Sequence, residues 1–146
     1  MNYKMKTFGD QFVEVFPRIE LYQQGDFSGR KMVGLALCLD CEEDGAHVPF
    51  ATLTTSFGEY IGIKNCAYID TNNYPDAGEF LQENGIAEPT MFVMRSGYCY
   101  YPLYRFNEDF LREHGGENYQ TYSDQYDSYM AEVLADQDDD SGMSQV

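Results

Sequence analysis

The sequence predicts an α+β domain: a mixed, mostly antiparallel sheet with helices on one side and an acidic amphipathic C-terminal helix. Three observations predict it. Runs rich in β-branched and aromatic residues, separated by Gly, Asn and Asp turns, occupy most of residues 12–70 and return at 91–106. Helical spacing appears near residues 76–85 and 107–116 and dominates after 119. The chain has 146 residues, 43% hydrophobic and 16% aromatic, which is the size of one domain and enough apolar matter for a core.

Taken in order, Phe12–Phe16 and Ile19–Tyr22 flank Pro17, so this stretch is an edge strand, a bulged strand or two short ones. Gln24-Gly25-Asp26 and Ser28-Gly29 supply a turn. Met32–Leu39 is almost wholly apolar, as a central strand requires, and Glu42–Gly45 turns the chain back into Val48–Thr55, completing an antiparallel hairpin. Cys66–Asp70 is a further short strand. Asp76 is placed to cap a helix with Glu79 as its reciprocal partner, and Ala77, Phe80 and Leu81 give that helix one apolar face. Asn84-Gly85 ends it. Met91–Met94 and Tyr98–Phe106 form two strands around Ser96-Gly97. Asn107 caps a short helix, Glu108–His114, closed by Gly115-Gly116. Beyond it, Tyr119, Tyr122, Tyr126, Tyr129 and Val133 recur at spacings of three and four, widened by Met130 and Leu134. That is one tyrosine-lined stripe of a helix, with Asp124, Asp127, Glu132 and Asp136 off the stripe. The same spacing fits a two-stranded coiled coil, so the stripe is expected to pack on the sheet or to form a homodimer. The division is therefore a core at residues 1–114, the acidic helix at 115–136 and a disordered acidic tail at 137–146.

Charge is the most uneven property of the chain. Its net charge is −16, from 9 bases and 25 acids. Residues 1–112 hold all 9 bases and 16 acids; residues 113–146 hold 9 acids and no base. A surface this negative repels phosphate, which excludes direct nucleic-acid binding and binding to an anionic membrane. No apolar run reaches transmembrane length, and the two lysines of the first six residues have no apolar stretch behind them as a signal peptide would. A cytoplasmic protein with four reduced cysteines is expected.

The motifs that could carry chemistry are sparse. Cys38-Leu39-Asp40-Cys41 has CxxC spacing, but Cys66 and Cys99 stand alone and His47 and His114 are unpaired, so no structural metal is expected; Cys38 is read as a core residue and Cys41 as part of a turn. Asp136–Gly142 resembles a calcium loop, yet its glycine is one position late and a twelfth ligand would fall beyond residue 146. Two histidines and the lack of any GxSxG, HExxH or phosphate-binding loop leave no catalytic constellation, so no enzyme and no cofactor are expected. Asp70-Thr71-Asn72-Asn73 is read as a turn held by its own side chains. Tyr98, Tyr100, Tyr101 and Tyr104 could stack on bases, but without nearby positive charge they read as two faces of a strand with some exposed contact residues.

The acidic segment remains. A solvated face that aids solubility is the plainer reading. The functional reading is phosphate mimicry by Glu113, Glu117, Asp124, Asp127, Glu132, Asp136, Asp138, Asp139 and Asp140. As a helix, residues 117–140 span roughly 35 Å and carry eight carboxylates. One DNA strand carries roughly ten phosphates over that length.

Four stretches also carry a resemblance: Pro49–Thr54, Tyr68–Asn73, Phe80–Thr90 and Ser96–Phe106. With them, residues 33–111 resemble a domain-of-unknown-function family of small acidic proteins found on conjugative and phage-like elements of gut anaerobes. Thr55-Ser56-Phe57 departs from the asparagine-containing pattern at that point, and the long acidic C-terminus is not a family feature. The resemblance implies a counter-defence inhibitor, similar to type II anti-CRISPR proteins, that binds a host RNA-guided nuclease (a CRISPR effector, with or without its RNA). The alternative is a non-catalytic structural or regulatory interaction module of a mobile element, with no nuclease target; if a nuclease is bound but not through the acidic segment, the Tyr98–Phe106 surface is the expected contact. The resemblance transfers no catalytic residue.

Overall fold

The computed structural model describes residues 2–144; the side chains of Phe8 and of residues 137–144 lie outside the described ones. The fold is α+β, with two antiparallel four-stranded sheets and three helices. The first sheet has the order β1 (Tyr3–Lys6), β2 (Phe12–Gly25), β3 (Lys31–Glu43), β4 (Ala46–Thr52). The second contains β5 (Thr54–Thr55), β6 (Cys66–Ile69), β7 (Ala87–Ser96) and β8 (Cys99–Phe106), in the order β5-β6-β8-β7. The helices are α1 (Ala77–Glu83), α2 (Glu108–Gly115) and α3 (Glu117–Ser144).

The strands thus divide between two sheets where one was expected. Val48–Thr55 does pair with β3 as its alternation predicts, but the pairing stops at Thr52. Leu53, fully buried, is the crossing point. Its N–H donates to the Leu37 carbonyl at 3.0 Å, and its own carbonyl accepts from the Asp70 N–H at 2.8 Å. One residue therefore belongs to the first sheet through its donor and to the second through its acceptor, and no buried backbone group is orphaned at the crossing. The Thr54 hydroxyl closes the same gap by accepting from the Leu37 N–H at 3.0 Å.

Pro17 lies inside one unbroken strand. Pairing with β1 ends at Tyr3↔Val15, so beyond it β2 is an edge on that side and a missing N–H there deprives no neighbouring strand. The β3–β4 turn places Asp44 at φ 53° and Gly45 at φ 81°, the paired left-handed conformation of a tight hairpin. Asp76 stands at the α1 N-terminus, but its side chain makes no capping bond, so the expected reciprocal pair with Glu79 is absent. The helix is held instead by burial of Ala77, Phe80 and Leu81. Asn107 does cap α2, its side chain accepting from the Phe110 N–H at 3.2 Å. Asn107→Ala is expected to cost about 1 kcal/mol in a denaturant titration. A change under a few tenths would show that the cap is idle.

A single hydrophobic core joins Val15, Leu37, Leu53, Leu81, Leu111 and Tyr119, so both sheets and all three helices share it. The α2–α3 corner is cut close to β2. A Cβ on Gly115 would lie 2.7 Å from the Tyr119 Cβ and 3.4 Å from the Ile19 Cβ, and Gly116 sits at φ 52°, ψ −125°, a conformation open only to glycine. Gly115→Ala is expected to destabilise the fold by about 1–3 kcal/mol through overpacking of this corner. An unchanged denaturation midpoint would place the corner farther from β2 than the structure does.

Candidate functional site

The acidic helix is the candidate site, and its position follows from its stripe. Tyr119 and Tyr122 are fully buried in the chain's own core; Tyr126, Tyr129, Met130 and Val133 are half-buried, and Leu134 is exposed. The stripe is thus used up at its N-terminal end by the sheet, which excludes a homodimer formed along its whole length.

Each buried tyrosine also satisfies a polar group. The Tyr119 hydroxyl donates to Asn65 Oδ1 at 2.8 Å, and the Tyr122 hydroxyl accepts from the Asn65 N–H at 2.9 Å. Asn65 sits at φ 66°, a left-handed position that asparagine tolerates better than most residues, and both tyrosines lock it there. Burial pushes the Tyr122 phenol well above its ordinary range. Farther along, the Tyr126 hydroxyl donates to the Gly62 carbonyl at 3.2 Å and the Tyr129 ring stands edge-on to Tyr60. Asn118 donates to the Ile19 carbonyl at 2.9 Å, and Gln125 accepts from the Val33 N–H at 2.7 Å, tying α3 to β2 and β3.

The acids divide into two groups. Asp127 is bonded to Lys64 Nζ at 2.9 Å, and Glu132 pairs with the Arg30 guanidinium through both oxygens. At about 100° per residue these two carboxylates lie on opposite flanks of the tyrosine stripe. They act as side clamps, and are not part of a free outer face as the spacing alone suggested. Arg30 and Lys64 were invisible to sequence reasoning, since nothing local links residue 30 to 132 or 64 to 127. Glu113, Glu117, Asp124 and Asp136 are exposed. Glu113 lies 3.8 Å from His114, and Asp124 accepts from Gln120 of its own helix at 2.8 Å. The backbone of residues 137–144 continues α3 as helix, but the Asp138, Asp139 and Asp140 side chains lie outside the described residues, as do Gln145 and Val146 of the expected tail.

The helix dipole does not account for these acids. Carboxylates stabilise the first turn of a helix and destabilise the last, yet most of them fall in the C-terminal half. The Arg30 hydrogen bonds, and then its charge, hold the Glu132 carboxyl below its ordinary value of 4.5. A depressed carboxyl stabilises the docked helix above its unfolded value, and that contribution is lost as pH falls through the folded one. The Tyr129 ring resonances should therefore shift as pH drops below about 4.5. The response should vanish in Glu132→Gln; a response that survives this change would assign it to another carboxyl.

The remaining motifs resolve plainly. Cys41 lies within β3, opposite Val48, rather than in the turn. Residues three apart on a strand project to opposite faces, so Cys38 and Cys41 cannot hold the same metal ion. All four cysteines are unpaired, and among the described residues no three His, Cys, Asp or Glu side chains gather as a metal site. Residues 136–142, which resemble a calcium loop in sequence, have helical backbone. Asp70 holds its own turn, accepting from the Asn73 backbone at 3.2 Å and side chain at 2.7 Å. Of the strand tyrosines, Tyr104 is buried and Tyr101 packs against Phe57, while Tyr98 and Tyr100 are exposed. No described helix is long and apolar enough to cross a membrane.

The family described as a domain of unknown function, DUF4313, matches residues 21–126, and the chain belongs to it. The match takes in both sheets apart from β1 and the start of β2, all of α1 and α2, and α3 as far as Tyr126; Asp127, Glu132 and Asp136 lie beyond it. No curated protein and no solved structure matches the chain.

Proposed function

We propose that this protein is a non-enzymatic counter-defence inhibitor, anti-CRISPR-like in action, whose acidic helix occupies the cationic nucleic-acid channel of a host RNA-guided nuclease in the cytoplasm. One observation carries the reading. A helix of 28 residues, roughly 42 Å long, is held to the core at one end by Tyr119 and Tyr122 and along its flanks by Lys64 and Arg30, and it carries acids without any base. A held row of carboxylates can displace nucleic acid from basic residues, because releasing counterions there favours any polyanion of suitable spacing. The resemblance of residues 33–111 to small acidic proteins of conjugative and phage-like elements, among which inhibitors of host defence are expected, supports the reading.

The deciding experiment is a pull-down against host nuclease complexes followed by a plasmid-interference assay. Capture of a nuclease, loss of interference, and release of the inhibitor by guide or target nucleic acid are the expected results. Capture of no nuclease, with interference intact, would overturn the reading.

The alternative, an interaction module of a mobile element with no nuclease target, is favoured by a different feature. Met91, Phe92, Val93, Tyr98 and Tyr100 are all exposed on the β7–β8 hairpin, a dense apolar display for so charged a chain. Within the nuclease reading, by contrast, binding that is insensitive to salt and survives neutralisation of the helix would move the contact to that same hairpin.

A further inference from the structure

The two outer strands of the first sheet meet across a cavity. β1 and β4 are separated by β2 and β3, so on a flat sheet they would stand roughly 14 Å apart. Yet Met5 and Lys6 of β1 and Phe50 of β4 line one cavity of about 360 Å³, which residues 73–76 close from a third side. The sheet is therefore curled, and the cavity is the gap where it stops short of a barrel. Barrel mouths are a recurrent position for small-ligand sites.

The walls are held in place. Phe50 is the extra residue of a bulge in β4: Leu39 pairs with Ala51 and Asp40 with Pro49, which leaves Phe50 without a partner and out of the regular alternation of its strand. On the third side, the Tyr74 N–H donates to the Asp70 carbonyl and the Ala77 N–H to the Tyr74 carbonyl, both at 3.0 Å. Met5 is buried, and Phe50 and Tyr74 are half-buried against the core, so the interior is apolar and aromatic. Lys6 and Asn73 are exposed and form the rim, with Asp76 half-buried beside them.

Charge at the rim decides what fits. Asp76 makes no capping bond to α1. Lys6, the base that shares its cavity, is bonded to Asp10 instead, at 2.9 Å. Asp10 first, and then Asp76 and Glu79, hold the Lys6 ammonium above its ordinary value, so the rim is an anionic environment that already favours one ammonium group. We propose that this cavity binds a small aromatic amine, its ring against Met5, Phe50 and Tyr74 and its protonated nitrogen on the Asp76 carboxylate. None of the lining residues belongs to α3 or to the β7–β8 hairpin, so the site is independent of the nuclease reading.

NMR titration of the full chain with phenethylamine, followed at the methionine methyls and backbone amides, tests it. The expected result is a saturable shift of the Met5 methyl and the Tyr74 amide, with ring-to-methyl NOEs at Met5. Phenethyl alcohol, the same body without the charge, should bind at least about fivefold more weakly, and phenylpropanoate, with the opposite charge, more weakly still. Asp76→Asn is nearly isosteric and removes no capping bond, so circular dichroism should not change. It should weaken the amine at least about fivefold and leave the alcohol as it was. N-acetyl-lysine methylamide presents an ammonium as a partner protein would, on an aliphatic stem, and should bind more weakly than phenethylamine. No saturable shift at Met5 up to about 10 mM amine overturns the proposal. Equal or tighter binding of the alcohol, the carboxylate or the lysine amide also overturns it, as does unchanged amine affinity in Asp76→Asn.

Discussion

Tyr119→Ala will unfold a large part of this protein's stability, about 3–5 kcal/mol by denaturant titration. The side chain is 1% exposed and packs where α2, α3 and β2 meet. Its removal leaves a cavity and also frees Asn65 Oδ1 and the Glu108 carboxylate, which its hydroxyl reaches at 2.8 and 3.4 Å. Tyr119→Phe separates the two effects. It keeps the ring and should cost only about 1–2 kcal/mol, the value of a partly buried hydrogen bond. If the alanine variant lost less than the phenylalanine estimate, the ring would not be packed and α3 would not be anchored at its N-terminus. The same experiment bears on function, since a helix that has come off the core no longer holds its carboxylates in a fixed row.

Neutralising Glu113, Glu117, Asp124 and Asp136 together will weaken binding to a cationic partner by about a hundredfold or more at low salt, because the free energy of a polyelectrolyte contact accumulates over its charges. Any one of them alone, such as Asp124→Asn, should change affinity less than about threefold, since exposed charges act singly with little effect. The division of the acids makes a second comparison informative. Asp127→Asn and Glu132→Gln remove two charges as well, but they also release Lys64 and Arg30 and loosen the helix. They should therefore change the Tyr126 and Tyr129 environments, whereas the exposed set should leave the fold untouched. Titration by isothermal calorimetry at several salt concentrations reads affinity and slope together. A fourfold-neutralised protein that binds with unchanged affinity and slope would reduce the acidic face to a solubility device.

Local pattern carried much of the fold. The apolar run Met32–Leu39 reads as a central strand, and it lies between β2 and β4. Asn107 and the Gly115-Gly116 pair delimit α2 through capping chemistry that is local by nature. The three- and four-residue spacing of the tyrosines determined a helix and its buried stripe without reference to any partner. Charge asymmetry, too, is a property of sequence alone. What sequence could not determine were facts about distance. Val48–Thr55 reads as one strand because its propensity is uniform; only the position of Asp70 beside Leu53 splits it between two sheets. Asp76 has the residue type of a cap, yet tertiary packing of Ala77 and Leu81 holds α1 without the capping bond. The acids after Arg112 look alike in sequence, but Lys64 and Arg30, 63 and 102 residues away, turn Asp127 and Glu132 into clamps, while Glu113, Glu117, Asp124 and Asp136 stay exposed. Periodicity and capping depend on neighbours within a few residues, which the sequence states outright; sheet crossing and charge pairing depend on which remote groups the core brings within about 3 Å, and only the folded chain decides that.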